Sequence, residues 1–182
     1  MPYAAPPYLA SLSLPEIAEA VAARRLPPVE EWNPRETIDS KMHIAADGTW
    51  FHEGAEIRRT AMVRAFASLL VRDADGSHAL LTPHCRQTIA VEDAAFVAVD
   101  MVVREDALAF RLNTDELVVA GPDHALSARG DAETPAIYLA VRHGCEARLD
   151  RSTWLQLADH VLARGEDMVV TSRGATFPLV PS

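Results

Sequence analysis

Segments of strand character stand close together through the middle of the chain, at residues 79–82, 88–91, 96–103, 108–112, 117–119 and 137–141. Apolar residues alternate in Leu108, Phe110 and Leu112, and again in Ile137, Leu139 and Val141, the period of a strand with one buried face. Consecutive strands joined by turns as short as Arg104-Glu105-Asp106 pair antiparallel, because a parallel return needs a crossover of a dozen residues or more. A sheet-rich core is therefore fixed first, and helices must pack on it.

Three helices are predicted around that core. Ser13 and Glu16 form a capping box about Pro15, with Ile17, Ala18 and Val21 on one face of a helix that ends near Arg25. Pro27, Pro28 and Pro34 make the following stretch an extended arm, with Trp32 to pin it. Residues 38–44 read as a strand, Asp47-Gly48 as a hairpin turn and Thr49-Trp50-Phe51 as the return strand, broken at Gly54. Met62, Val63, Phe66, Leu69 and Leu70 then mark one face of a helix that Asp73 to Gly76 terminates. Trp154, Leu155, Ala158, Val161 and Leu162 repeat that spacing in a helix over 152–163, stopped by Gly165 and followed by strands at 168–171 and 176–179. Phe66 and Trp154 are expected in the core.

The flanks of the two long helices also match, Ile57-Arg58-Arg59-Thr60 against Leu149-Asp150-Arg151-Ser152, each after a strand ending in His-Glu-Gly or His-Gly-Cys-Glu. The expected fold is α+β with two similar lobes, each of antiparallel strands packed by one long helix in an internal strand-turn-helix repeat, plus an N-terminal helix and arm. The corresponding boundaries are 1–36 for helix and arm, 37–92 for the N-terminal lobe and 93–182 for the C-terminal lobe.

With 182 residues, 49% of them apolar, the chain can bury a sizeable core. A formal charge of -9 gives no basic footprint for nucleic acid. No apolar run approaches a membrane span, and Pro2, Pro6 and Pro7 interrupt anything resembling a secretory signal, so a cytoplasmic protein without membrane partners is expected. Cys85 and Cys145 fall in different lobes and are expected as free thiols. Lys41 is the only lysine, and the abundance of arginine, alanine and valine suggests a bacterium with a GC-rich genome.

Gly48-Thr49-Trp50-Phe51-His52-Glu53-Gly54, Arg59, Met62-Val63-Arg64, Val91-Glu92-Asp93-Ala94, Gly121-Pro122-Asp123-His124 and Gly144-Cys145-Glu146-Ala147-Arg148-Leu149 together resemble a proteobacterial family known only as a domain of unknown function. The resemblance spans residues 47–164. It implies a two-lobed α+β protein with repeated structural motifs and a role suggested in signal transduction. It brings no catalytic or binding residues with it.

Several side-chain sets invite chemistry. His84 and Cys85 with His143 and Cys145 offer the ligand types of zinc but not its usual spacing, so no metal or other cofactor is expected. His52-Glu53 has the look of a base and its carboxylate, yet neighbours on a strand face opposite ways and no H-E-x-x-H follows. Asp73, Asp75 and Gly76 begin like a calcium loop, but its twelfth position is His84. There is no G-x-S-x-G and no phosphate loop, and Gly121-Pro122-Asp123 reads as a turn in which Asp123 bonds its own backbone. Arg59 and Arg151 each start a helix, where positive charge opposes the dipole, so each is expected in a clasp with an acid, Glu53 or Glu56 for the first and Glu146 for the second.

A non-catalytic cytoplasmic module that binds a small ligand or a protein in signalling or regulation fits best. Its ligand site is expected where the lobes meet, near His52, Glu53, Glu146 and Arg148. A metal-assisted hydrolase with its site between the lobes is the alternative, and a structural subunit of a larger assembly the third reading. Zinc analysis of the purified protein separates the first two.

Overall fold

Ser13 and Glu16 cap the first helix reciprocally: the serine hydroxyl accepts the Glu16 N–H, and the glutamate carboxylate accepts the Ser13 N–H at 2.7 Å. Helix α1 (Leu14–Ala23) follows, as the sequence predicts. The computed structural model describes residues 9–165 and 167–182. After α1 come β1 (Glu36–Ile44), β2 (Trp50–His52), β3 (Ala55–Glu56), α2 (Thr60–Ala67), β4 (Leu70–Arg72), β5 (His78–Leu81), β6 (Cys85–Val91) and β7 (Phe96–Arg104). Then follow β8 (Ala107–Leu112), β9 (Leu117–Val119), β10 (Leu126–Gly130), β11 (Pro135–Arg142), β12 (Cys145–Leu149), α3 (Arg151–Ala163), β13 (Val169–Ser172) and β14 (Ala175–Pro178). The fold is α+β with two similar lobes. One compact unit holds Arg25–Phe96 and Arg142–Glu146; the other holds the described residues up to Arg24, Val97–Val141 and Ala147–Ser182.

In the first unit six strands lie in the order β3-β2-β1-β6-β5-β4. Consecutive strands pair antiparallel, and only β1 and β6 run parallel, because two separate meanders meet there. Trp50 is 2% exposed and stacks on Phe66 of α2 with ring centroids 6.3 Å apart. Phe66 itself is half-buried, and Ala67 is the side chain that α2 buries fully. The helix is shorter than its apolar period suggests. Leu70 leaves it to pair with Leu80 across β4 and β5, and the Leu69 carbonyl accepts the Leu81 N–H at 2.9 Å. Asp73 to Gly76 is accordingly the turn of this hairpin rather than a helix end, closed by the Gly76 N–H to the Asp73 carbonyl.

The residues Arg142–Glu146, which turn β11 into β12, belong to this unit. Arg72 donates its N–H to the His143 carbonyl at 2.9 Å. Gly144 has φ +77°, and a Cβ there would stand 2.6 Å from the Arg72 carbonyl oxygen, so only glycine fits.

The second unit repeats the strand order, β9-β8-β7-β12-β11-β10 answering β3-β2-β1-β6-β5-β4. The helices do not repeat with it. In the first unit α2 occupies the connection between third and fourth strands; here that connection is residues 120–125, and α3 follows the sixth strand instead. Likeness between the halves therefore lives in the sheets, and α2 and α3 are not counterparts. In α3 the buried stripe is Thr153, Leu157 and Val161, leaving Trp154 half-buried, Leu155 50% exposed and Leu162 67% exposed. The apolar face read from the sequence is thus rotated from the one that packs. Its N-cap, Asp150, accepts the Thr153 N–H at 2.7 Å.

Helix α1 packs here through Ile17, which with Leu9 meets Ala109 of β8, flanked by Leu12, Val102, Leu117 and Val119. At its end Arg24 forms an ion pair with Glu116, its Nε 2.9 Å from the carboxylate. The Arg104 guanidinium secures the chain before α1, donating to the carbonyls of Ala10 and Leu12. The β13-β14 hairpin is tied on by Ser172, whose hydroxyl accepts the Leu108 N–H and donates to the Ala120 carbonyl.

Candidate functional site

A cavity of about 480 Å³ opens in the second unit between α1 and the residue run that joins β9 to β10. Ala18, Val21 and Ala22 of α1 form one wall with Val119, while residues 120–124 and Arg173 form the rest. Val21 is 39% exposed although it lies on the apolar side of its helix. An apolar wall with a few convergent polar groups is the usual make-up of a small-molecule site.

The polar groups are positioned by backbone. Gly121 and His124 exchange both backbone hydrogen bonds at 3.1 Å, closing a four-residue turn with Pro122 and Asp123 at its tip. Proline at the first central position presets the turn's φ. His124 Nδ1 lies 3.0 Å from the Ala140 carbonyl, which can only accept, so Nδ1 carries the proton and Nε2 is left as an acceptor in the neutral ring. Arg173 comes from the turn between β13 and β14, where Arg173 and Gly174 both have positive φ, the mark of a type I′ hairpin turn. Gly121 lets this turn come close: a Cβ there would be 3.2 Å from Arg173 Cβ. The Asp123 side chain is exposed and makes no bond to its own backbone, in contrast to the turn chemistry expected of it.

A second cavity of about 380 Å³ is lined by Glu105, Asp106, His160 and Arg164 among others, and His160 and Arg164 each already have an interaction partner.

The residues singled out from sequence sit as follows. Glu53 and Gly54 are the two central residues of the β2-β3 turn, with φ 49° and 82°, and His52 precedes them on the surface. Glu146 lies 3.7 Å from Arg72 of β4, which is the opposite edge of the first unit's sheet from β2 and β3. His52-Glu53 and Glu146 are therefore not gathered into one place. Arg148 is exposed on β12 and engaged with a partner of its own. The two clasps do not form: Glu56 pairs with Arg58 at 3.1 Å and Glu146 with Arg72, while Arg59 and Arg151 make no ion pair among the described residues. At the helix starts these arginines are exposed, and solvent rather than an acid offsets the dipole.

Glu92 accepts the Ala46 N–H at 2.8 Å and lies 2.9 Å from His43 Nε2, while His43 stacks on Phe51. The Ala46 hydrogen bond, then that of His43, holds the Glu92 carboxyl below its ordinary range. This cluster ties together the ends of β1 and β6 and accounts for Glu92 structurally. Cys85 and Cys145 are both free thiols, and burial pushes the Cys145 thiol up to about 12, which makes it unreactive. Among the described residues no three His, Cys, Asp or Glu side chains assemble as a metal ligand set, and no helix is long and apolar enough to cross a membrane.

Two family models match the chain in succession: the N-terminal domain of DUF1285, a domain of unknown function, over residues 27–94, and the C-terminal domain of DUF1285, a protein of unknown function, over residues 95–179. Among solved structures, a DUF1285 family protein from Silicibacter pomeroyi DSS-3 is similar at 35% identity, over 94% of this chain and 97% of that one, with a TM-score of 0.76. A DUF1285 family protein from Shewanella baltica OS155 shares the fold at 22% identity, over 65% of this chain and 90% of that one, with a TM-score of 0.53. No curated protein matches.

Proposed function

Given that the chain belongs to the DUF1285 family, over residues 27–94 and 95–179, we propose that it is a non-catalytic binding module that takes a small ligand in the cleft between α1 and the Gly121–His124 turn. The observation that carries this reading is the cleft itself, about 480 Å³ of space with an apolar wall and three polar side chains held on closed turns. Among the described residues that line it, none is a nucleophile beside a base, and the reading is therefore one of binding rather than reaction. A cytoplasmic role in regulation or signal transduction follows as part of the same proposal: ligand occupancy would be what the protein reports.

Amide NMR of the full chain against mixtures of small fragments tests the site. Shifts should concentrate at Ala18, Val21, Val119 and residues 121–124, and Val21→Arg, which fills the cleft, should abolish them. Shifts confined to other surfaces, or none, would overturn the reading.

A further inference from the structure

The cleft presents one positive and one negative side chain, and their arrangement defines a ligand class; the inference rests on the binding reading above. Arg173 and Asp123 line the same space, yet they do not pair with each other, and among the described residues neither side chain has an ion-pair or hydrogen-bond partner. Opposite charges held apart in one cleft select against most ligands. A simple anion satisfies Arg173 but meets the Asp123 carboxylate, and a simple cation meets the reverse problem. An uncharged molecule engages neither charge and gains only the apolar wall. A ligand carrying both signs at short separation satisfies both.

We propose that the cleft binds an aliphatic α-amino acid. Its carboxylate lies on the Arg173 guanidinium, whose planar fork matches two oxygens. Its ammonium donates to Asp123 and to His124 Nε2, which the Nδ1 bond to Ala140 keeps in the accepting tautomer. The side chain lies along Ala18, Val21, Ala22 and Val119, the exposed apolar wall. Gly121 belongs to the recognition because its missing side chain is what lets the Arg173 turn approach the Asp123 turn.

Calorimetric titration of the full chain with L-leucine, 4-methylpentanoate and 3-methylbutylamine tests the assignment. Leucine should bind, and the two analogues, each lacking one charged group, should bind about tenfold or more weakly. Asp123→Asn and Arg173→Gln, both at exposed positions, should leave thermal unfolding of the free protein unchanged and weaken leucine by a similar factor. Arg173→Gln should leave 3-methylbutylamine unaffected. Equal binding of leucine and 4-methylpentanoate, an unchanged leucine affinity in Asp123→Asn, or no leucine binding at all overturns the amino-acid assignment. The fragment shifts at the cleft, measured separately, then report whether the binding reading fails with it.

Discussion

The two units lay six strands in the same order and treat the third-to-fourth connection differently. The first fills it with α2, whose Phe66 stacks on the buried Trp50. The second spans it with residues 120–125, a closed turn beside a cleft. A meander repeated twice dictates strand order, because adjacent hairpins pair wherever their turns allow. What it does not dictate is how each connection is covered. Where a helix supplies aromatic side chains the space becomes core; where a tight turn replaces it, polar groups stay accessible.

Four measurements press on that contrast. Removing Trp50 should hurt most, since Trp50→Ala empties a core that α2 closes and should cost about 3–5 kcal/mol in denaturant melts, while Val21→Ser at the cleft wall should fall within about 0.5 kcal/mol. Comparable losses at both positions would mean that the cleft is core as well. Gly144→Ala should cost about 3 kcal/mol, the left-handed backbone adding to a collision with the Arg72 carbonyl, against about 1 kcal/mol for Gly54→Ala, which has the same sign of φ but nothing within 4 Å. Equal melting temperatures for the two variants would refute the tight docking of the His143-Gly144 turn. In the second unit Leu157→Ala should lose about 2 kcal/mol or more and Leu162→Ala almost nothing, so a reversed pair would restore the helix face read from sequence.

The smallest expected effect is one of pH. Burial, with Arg72 next in weight, disfavours the charged form of His78 and sets its pKa below the ordinary 6.5. A depressed histidine pKa means that the unfolded chain binds the proton more readily, so its contribution is complete above about pH 6.5 and is lost as pH falls toward the folded value. Hydrogen-exchange protection at the β5 amides, taken relative to the intrinsic exchange rate at each pH, should fall in that window, and His78→Phe should remove the fall. An unaltered acid response in the variant would place the sensitivity elsewhere.

Local chemistry was legible in the sequence wherever it decided structure alone. The Ser13/Glu16 cap and the alternating strands at Leu108–Leu112 and Ile137–Val141 are of that kind, being set by neighbours three residues away or two. Leu70 was misread because period 3.6 suits it equally well in α2, and only its partner Leu80 across the hairpin places it in a strand. The face of α3 was misread because Thr153 counts as polar by type and is wholly buried, while Leu162 counts as apolar and is mostly exposed. At the cleft, Gly121-Pro122-Asp123 was recognisable as a turn, but its meaning depends on Arg173 arriving from a remote hairpin. One signal was available. A residue followed by glycine between two short strands recurs as Glu53-Gly54, His143-Gly144 and Arg173-Gly174, and each proves to be a turn with both φ positive.

The Glu53-Gly54 turn also differs from its two namesakes in how much it would tolerate. Gly144 is hemmed in by Arg72 and the Arg173-Gly174 turn leans on Gly121, whereas Gly54 has no atom within reach of an added carbon. A spliced epitope, a cysteine for dye labelling or a short protease site should be accepted between Glu53 and Gly54, on an edge hairpin far in strand order from β4. The same graft at His143-Gly144 would pry the turn from β4. The molecule thus carries its own attachment point for a reporter, in the unit that does not hold the cleft.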